Sequence, residues 1–259
     1  MSTILFPSPI YGPVKSRRLG ISLGINLMPA QGKICTFDCI YCECGYNADG
    51  HTTAKRPTRD EVKQDLEQQL KEMTDTGQLP DVITFAGNGE PTAHPHFSAI
   101  IHDTIALRNL YCPNAKIAVL SNATQLDRPE VVEALKAVDD NILKLDTVNL
   151  DFIRLVDQPV QSSYHPNKIA EQMKQFAGHI IIQTIFFQGE HNGQHIDNTT
   201  PLYVEPWIET LKAIQPESVM IYTIDRETPE KHLQKASTMQ LDHIAQQVEA
   251  AGFKCSVSY

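Results

Sequence analysis

Apolar residues follow helical and strand-like spacings in alternation along most of the chain. Thr58 and Glu61 match a capping box, and apolar residues recur at four-residue spacing from Val62 onward. This pattern predicts a helix from Thr58 to about Thr76, which ends near Gly77 because glycine readily adopts the left-handed backbone that closes a helix.

Short runs rich in β-branched residues predict strands between such helices. The predicted strands are residues 21–27, 81–87, 116–122, 141–146, 179–187 and 218–225, with a small extra strand at 253–258. The other helical patterns lie near residues 95–107, 129–138, 167–177, 205–214 and 238–251. Strands that are apolar on both faces and joined by helices indicate a parallel sheet.

The predicted fold class is therefore α/β. Six strand–helix units are too few for a closed eight-stranded barrel, so the order fits either a partial (β/α)6 barrel, which is an open parallel sheet with outer helices, or a doubly wound sheet. We find no linker or low-complexity segment, and we expect residues 1–259 to form a single domain.

Polar residues cluster where the predicted strands end. In parallel α/β folds the chemistry lies at the carboxyl ends of the strands. The segments found at those ends are the cysteine stretch 35–44, G-N-G-E at 87–90, S-N at 121–122, K-L-D at 144–146, Gln183, and T-I-D-R at 223–226. We expect these segments to surround one site.

The net charge of −9 argues against broad electrostatic attraction to nucleic acid. The first residues lack the features of a signal peptide, and no apolar run approaches a membrane span, so we expect a cytoplasmic protein without membrane contact. In a reducing compartment, clustered cysteines indicate metal binding or redox chemistry rather than disulfides.

Three cysteines, Cys35, Cys39 and Cys42, have the spacing C-x3-C-x2-C. A structural zinc site needs four ligands, and only Cys44 is near enough in sequence to complete one. A four-iron cluster held by three cysteines leaves one iron open to a small molecule. Both kinds of site fit the spacing alone.

The segment C-T-F-D-C-I-Y-C resembles the signature of the radical S-adenosylmethionine (SAM) superfamily. The resemblance implies a partial (β/α)6 barrel and a [4Fe-4S] cluster on Cys35, Cys39 and Cys42. It also implies SAM as a second cofactor, which is cleaved reductively to a 5′-deoxyadenosyl radical that abstracts hydrogen from the substrate. An external one-electron donor of the flavodoxin or ferredoxin type is implied as a partner.

The same resemblance implies a set of SAM contacts. F-A-G-N-G-E-P-T resembles the family's glycine-rich motif, in which glycines permit close approach of the backbone and an acidic group receives the SAM amino group. Tyr41 is expected to flank the adenine. The full predicted cofactor-binding set is Tyr41, Gly87, Gly89, Glu90, Ser121, Asn122 and Gln183. An N-cap or a local turn is an equally simple reason for the serine and asparagine after a strand.

Longer segments resemble a radical SAM subfamily that is grouped with the wyosine-type tRNA synthases. These segments are residues 11–29, 87–95, 196–199 and 221–229. Those tRNA enzymes carry additional cysteines and a basic surface that are not recognisable in this sequence. The acidic balance and the lack of a recognition domain favour a small substrate over RNA or peptide. Wyosine-like tRNA base modification and a non-catalytic iron–sulfur electron carrier are the alternatives.

Polar residues near the expected barrel mouth form a predicted substrate set. Its members are Arg17, Arg18, Lys144, Asn198, Tyr222, Asp225 and Arg226. Arginine and amide groups suit a carboxylate-bearing substrate, whereas a surface salt-bridge network is the alternative. Lys144 pairing with a nearby carboxylate is likewise an alternative to a ligand role.

Two further features are left open by the sequence. Cys44, Cys112 and Cys255 could hold a second cluster, or could be small apolar residues. The polar segment 189–201 is predicted to be a long loop that acts as a lid over the site.

Overall fold

The computed structural model describes residues 4–16, 20–47 and 55–259. The strands are β1 (Ile10–Ser16), β2 (Gly20–Ile25), β3 (Val82–Phe85), β4 (Lys116–Ser121), β5 (Asp140–Lys144), β6 (Ile181–Ile185), β7 (Phe187–His191), β8 (Gln194–Asp197), β9 (Ser218–Tyr222), β10 (Leu233–Lys235) and β11 (Lys254–Ser258). The helices are α1 (Arg59–Thr76), α2 (Phe97–Tyr111), α3 (Pro129–Lys136), α4 (Leu150–Val156), α5 (Pro166–Met173), α6 (Pro201–Ile214) and α7 (Thr238–Ala250).

One large sheet carries the strand order β1-β2-β3-β4-β5-β6-β9-β11. Every neighbouring pair from β2 to β11 is parallel, whereas β1 pairs antiparallel with β2. Helices connect most of the parallel strands, because the chain must return from the end of one strand to the start of the next at the opposite edge of the sheet. The predicted α/β class, with an open parallel sheet and outer helices, is confirmed.

The two faces of this sheet differ in what covers them. Residues of one face pack with the helices in the main core, among them Leu23, Ile25, Ile83, Phe85, Ile117, Val119, Leu143, Ile182, Val219 and Ile221. The opposite face carries a small buried cluster of Val82, Ala118, Ile142 and Ile181. We call this opposite face the inner face. Towards the carboxyl ends of the strands it carries partly exposed side chains, including Leu120, Lys144, Gln183 and Met220. The inner face therefore borders an open space near the site.

Helix α1 forms as its sequence predicts. Thr58 and Glu61 make both hydrogen bonds of a capping box, and Gly77 closes the helix with φ 69°. Leu66 and Leu70 are buried in the main core, and each contributes roughly 1.5–3 kcal/mol by leaving water.

A second, smaller core lies beneath the cysteine segment and contains elements that the sequence analysis did not predict. Phe37, Ile40 and Tyr41 pack there with Phe152 of α4 and Phe187 of β7. Helix α4 has only seven residues, too few for a clear helical period to appear in the sequence. This core supports the cysteine segment from below.

The predicted lid at residues 189–201 is wrong in its secondary structure. Most of the segment forms the hairpin β7–β8, and β10 pairs with β7 to complete a three-stranded sheet. Only one side of this hairpin is buried, through Phe187 and Ile196, so its composition is as polar as that of a loop. None of the described helices is long and apolar enough to cross a membrane.

Candidate cofactor and substrate site

The cysteine segment follows β2 and crosses the carboxyl ends of the parallel strands. Its backbone is tied to the end of α4, where the Ile40 amide donates to the Val156 carbonyl at 2.9 Å and the Asp38 amide donates to the Asp157 carbonyl at 2.9 Å. On its other side, the Glu230 amide donates to the Ile40 carbonyl at 3.4 Å. Backbone hydrogen bonds therefore hold the cysteine segment on two sides, one at the end of α4 and the other at Glu230.

Two consecutive turns bring the cysteines together. The Cys42 amide donates to the Cys39 carbonyl at 3.1 Å, and the Gly45 amide donates to the Cys42 carbonyl at 2.9 Å. Burial, with a smaller contribution from the negative charge of Cys42, raises the pKa of the Cys35 thiol to about 12 and that of Cys39 well above its usual range. Cys42 therefore lies within electrostatic reach of both other cysteines.

The fourth cysteine of the segment faces Cys42. A hydrogen bond from Cys44 lowers the pKa of the Cys42 thiol to about 6, and the same bond raises the pKa of Cys44. The Cys44 sulfur also lies 3.4 Å from the Gly87 carbonyl oxygen, an alternative acceptor for its single hydrogen. Cys44 thus touches both the cysteine segment and the glycine-rich motif.

Lys33 is a buried residue of this site that the sequence analysis missed. Its side chain is only 1% exposed, and its ammonium donates to the Gly45 carbonyl at 2.9 Å and to Asp38 at 3.2 Å. Burial lowers the pKa of Lys33, but the charges of Cys42, Cys39, Cys35 and Asp38 outweigh it and raise the pKa above the usual range. The signal available in the sequence was a lysine in an apolar surrounding, two positions before the cysteine motif.

The glycine-rich motif packs directly on the chain that enters the cysteine segment. Ile34 and Gly89 form a parallel bridge, and the Ile34 amide donates to the Asn88 carbonyl at 2.9 Å. Gly87 has φ 136° and Gly89 has φ 144°, and a Cβ on Gly87 would lie 2.7 Å from the Asn26 side chain. The glycines are needed for close approach between two protein segments, a reason that the sequence analysis did not give.

The carboxylate of Glu90, the expected acceptor for the SAM amino group, is already hydrogen-bonded within the protein. Its buried carboxylate accepts hydrogen bonds from the Thr92 amide at 3.0 Å, the Ser121 hydroxyl at 2.8 Å and the Asn122 amide at 2.7 Å, and from the Thr92 hydroxyl. Burial raises the pKa of Glu90, whereas these hydrogen bonds lower it. Glu90 therefore joins the glycine-rich motif to the end of β4, and Ser121 is turned towards Glu90.

Asn122 links the end of β4 to the first cysteine. Its side-chain amide nitrogen lies 3.6 Å from the Cys35 sulfur and 2.8 Å from the Thr36 hydroxyl oxygen. Its amide oxygen accepts hydrogen bonds from Thr124. Asn122 is thus placed beside the predicted metal ligands, and hydrogen bonds to such sulfurs are known to tune a cluster.

Tyr41 and Lys144 belong to one buried polar network. The Tyr41 hydroxyl donates to Asp146 at 2.5 Å and its oxygen also lies 3.0 Å from Asp157, and the Lys144 ammonium donates to the same two carboxylates at 2.5 Å. The ammonium also lies 5.0 Å from the centre of the Tyr41 ring. The carboxylate pairing that the sequence left open for Lys144 is present, and the ring of Tyr41 is buried rather than exposed.

Gln183 and Tyr222 lie on the inner face of the sheet. Lys144 pairs in register with Gln183 of β6, and Tyr222 of β9 pairs with Ile185. Both Gln183 and Tyr222 are partly exposed. Since residues two apart on a strand share a face, these side chains border the same inner space as Lys144.

The other members of the predicted substrate set do not converge in the described part of the chain. Asn198 is buried, and both polar atoms of its side-chain amide bond the backbone. The oxygen accepts from the Phe187 amide at 2.9 Å, and the nitrogen donates to the Ile185 carbonyl at 2.8 Å. Arg226 is exposed and pairs with Glu43 at 2.7 Å. Asp225 lies 3.8 Å from Lys235, and Arg17 and Arg18 fall outside the described residues.

The donor set suits an iron–sulfur cluster by its chemistry. It consists of three thiols in one segment, with the buried ammonium of Lys33 to offset thiolate charge and the amide of Asn122 beside one sulfur. Within residues 4–16, 20–47 and 55–259, no group of three or more His, Cys, Asp or Glu side chains is arranged to hold a single metal ion. In a cluster, each thiolate binds a different iron, so the sulfurs need not converge on one point.

Comparison with known sequences identifies similar proteins. The profile of the Radical SAM superfamily matches residues 32–156. A UPF0026 protein of Synechocystis sp. is 30% identical over 236 residues, which are 89% of this chain and 79% of that protein. A UPF0026 protein of Helicobacter pylori J99 is 30% identical over 84% of this chain and 66% of its own length. A protein named GTPase Obg of Brachyspira hyodysenteriae is 26% identical over 96% of this chain, which spans only 34% of that protein.

Comparison with solved structures identifies the same fold. A radical SAM methyltransferase from Sphaerobacter thermophilus covers 92% of this chain and 66% of its own, with a TM-score of 0.67 and 15% identity. The structure of TYW1 with a lysine-pyruvate adduct bound covers 88% of this chain and 73% of its own, with a TM-score of 0.58 and 13% identity. Likeness at these identities concerns the fold alone.

Proposed function

The chain belongs to the radical SAM superfamily and to the family of UPF0026 proteins, and on that premise we propose that Cys35, Cys39 and Cys42 hold one [4Fe-4S] cluster and that residues 1–259 form one radical SAM domain. Enzymes of this superfamily use such a cluster together with SAM, and they generally need an external electron donor. We further propose that this chain cleaves SAM reductively and abstracts hydrogen from a small substrate on the inner face of the sheet.

The observation that carries this proposal is the contact between two motifs that are far apart in sequence. The cysteine segment and the glycine-rich motif meet through the Ile34–Gly89 bridge at the carboxyl edge of the sheet. Asn122 of the next strand reaches the same place, beside the sulfur of Cys35. Ligands in parallel α/β folds bind at this edge, so the arrangement supports a cofactor site here.

The cluster and SAM supply a one-electron cleavage that yields a 5′-deoxyadenosyl radical, and the residues of the chain bind, orient and shield these groups. Backbone groups of Gly87 and Gly89, together with the Asn122 amide, are the proposed contacts of SAM. Glu90 and Ser121 support the site without contacting SAM, since their hydrogen bonds hold the glycine-rich motif and β4 together.

The inner face of the sheet supports a substrate site beside the cofactors. Lys144, Gln183 and Tyr222 present polar groups there, next to the apolar Leu120 and Met220. An electron carrier has no need of a partly exposed polar interior, whereas substrate pockets combine apolar walls with a few placed polar groups. The net charge of −9 favours a small molecule over nucleic acid.

The experiment that tests the proposal is SAM cleavage by the purified, anaerobically reconstituted protein. With dithionite as reductant, we expect about four irons per chain and formation of 5′-deoxyadenosine, detected by mass spectrometry. Cys39→Ala is expected to lower both by more than about tenfold, because a cluster ligand is lost. Cys255→Ala is the matched control, since Cys255 lies on β11 away from the cysteine segment, and it should retain both.

Two results would contradict the proposal. A full cluster that neither binds nor cleaves SAM would favour an electron carrier. Equal product from wild type and Cys39→Ala would show that the cysteine segment does not carry the reaction.

A further inference from the structure

Lys33 carries a buried charge that the proposed function does not use. Removing an ammonium from water is costly unless it is paired. Its only carboxylate partner among the described residues is Asp38, at 3.2 Å, and that carboxylate oxygen also accepts the Asn47 amide at 2.7 Å. The ammonium also donates to the neutral Gly45 carbonyl at 2.9 Å and hydrogen-bonds the Cys42 sulfur. Apart from the thiols themselves, the protein therefore balances this charge only in part.

The position of the ammonium indicates what completes the balance. Asp38 immediately precedes Cys39, and Gly45 bonds through its amide to the Cys42 carbonyl. By holding both Asp38 and Gly45, the ammonium lies inside the curve of chain that carries the three thiols.

Other charged groups near the cysteines are already balanced or turned away. Lys144 also lies within electrostatic reach of Cys39, but it is held between Asp146 and Asp157 at 2.5 Å each, so its field is offset. Glu90 is engaged by hydrogen-bond donors at the end of β4. Glu43 pairs with the exposed Arg226.

We propose that Lys33 is the built-in counter-charge of the cluster and that it makes the cluster easier to reduce. A cluster on three thiolates becomes more negative when it gains an electron, and a fixed positive charge nearby stabilises that reduced form more than the oxidised form. Lys33 is thus a positioning residue that acts through charge, and this inference rests on the proposed cluster site.

The test is an anaerobic redox titration of the reconstituted protein without SAM, followed by the electron paramagnetic resonance signal of the reduced cluster. Lys33→Gln keeps a donor for the Gly45 carbonyl but removes the charge. We expect the ratio of reduced to oxidised cluster at a fixed solution potential to fall at least about tenfold, which is 59 mV for a one-electron couple. Lys33→Arg should restore most of the wild-type potential.

Asp38→Asn is expected to shift the reduction potential of the cluster in the opposite direction. It keeps an acceptor for the Asn47 amide and removes the negative charge that partly offsets Lys33, so the reduced fraction should rise. General loosening of the segment would not produce opposite shifts in the two variants. Lys235→Gln, a change at an exposed lysine outside the segment, should leave the potential unchanged.

Each result decides between the two proposals. A wild-type protein without a [4Fe-4S] signal would overturn the proposed cluster site itself. A wild-type cluster with an unchanged potential in Lys33→Gln would overturn only the role of Lys33. If Lys33→Gln fails to assemble a cluster, Asp38→Asn decides: a higher reduced fraction supports the counter-charge, and an unchanged or lower one overturns it.

Discussion

Gly89 and Ile34 are in direct backbone contact, and a Cβ atom on Gly89 would stand 1.8 Å from the Ile34 carbonyl oxygen. The contact joins the glycine-rich motif after β3 to the chain that enters the cysteine segment. No side chain larger than hydrogen fits there without moving one of the two backbones. This pair therefore determines how the two predicted cofactor motifs meet.

Gly89→Ala is expected to separate those motifs. The clash with backbone, added to an unfavourable φ of 144°, should lower the free energy of unfolding by at least about 3 kcal/mol and reduce iron loading. Chemical denaturation and iron analysis measure the two effects. Gly193→Ala is the matched control: it also has a positive φ, 72°, but nothing within 4 Å, so it should cost only about 1 kcal/mol and keep its iron. Equal effects in both variants would mean that the Ile34 contact is unimportant.

Lys144→Ala is expected to destabilise the protein strongly. It leaves two buried carboxylates, Asp146 and Asp157, without their shared cation, and breaking a buried ion pair in this way costs about 3–5 kcal/mol. Denaturant unfolding of the protein without a cluster measures the change. Lys235→Ala removes an exposed lysine that lies 3.8 Å from Asp225 and should change stability by less than about 1 kcal/mol. A loss of turnover in Lys144→Ala without a loss of stability would instead favour a substrate contact.

Asp146 is expected to give the unfolding free energy a distinct pH dependence. Burial raises the pKa of Asp146 to about 6 in the folded protein, above the value of about 3.9 for an unfolded chain. The folded state therefore binds more protons between these values, and stability falls as the pH rises from about 4 to about 6. Asp146→Asn removes this contribution. Denaturation at several pH values should show that wild type loses stability relative to the variant across this window, and parallel profiles would contradict the assignment.

Glu90→Gln is expected to act first on stability. The buried carboxylate accepts from Thr92, Ser121 and Asn122, and an amide nitrogen cannot accept these hydrogen bonds. We expect a loss of about 1–3 kcal/mol in unfolding free energy. We also expect a smaller change in SAM affinity, measured by equilibrium binding to the reconstituted protein. A large loss of affinity at unchanged stability would return Glu90 to the role of direct SAM contact.

The sequence by itself determined the features that depend on nearby residues. The capping box of Thr58, the αL cap at Gly77, the parallel strands and the extra strand β11 all follow from local spacing, because a helix or a buried strand repeats its apolar positions over a short range. The resemblance that began with the three-cysteine spacing identified the superfamily. These signals need no knowledge of what packs opposite.

Only the tertiary structure decided which way individual polar groups face. Glu90 accepts a hydrogen bond from Ser121, Asn198 bonds the backbone, and the Lys33 ammonium donates to the Gly45 carbonyl. The polar stretch that resembles a loop becomes the β7–β8 hairpin because one of its faces packs beneath the cysteine segment. The physical reason is that a buried polar group must find a hydrogen-bond partner, and which partner it meets depends on how the chain folds around it rather than on the residue type alone.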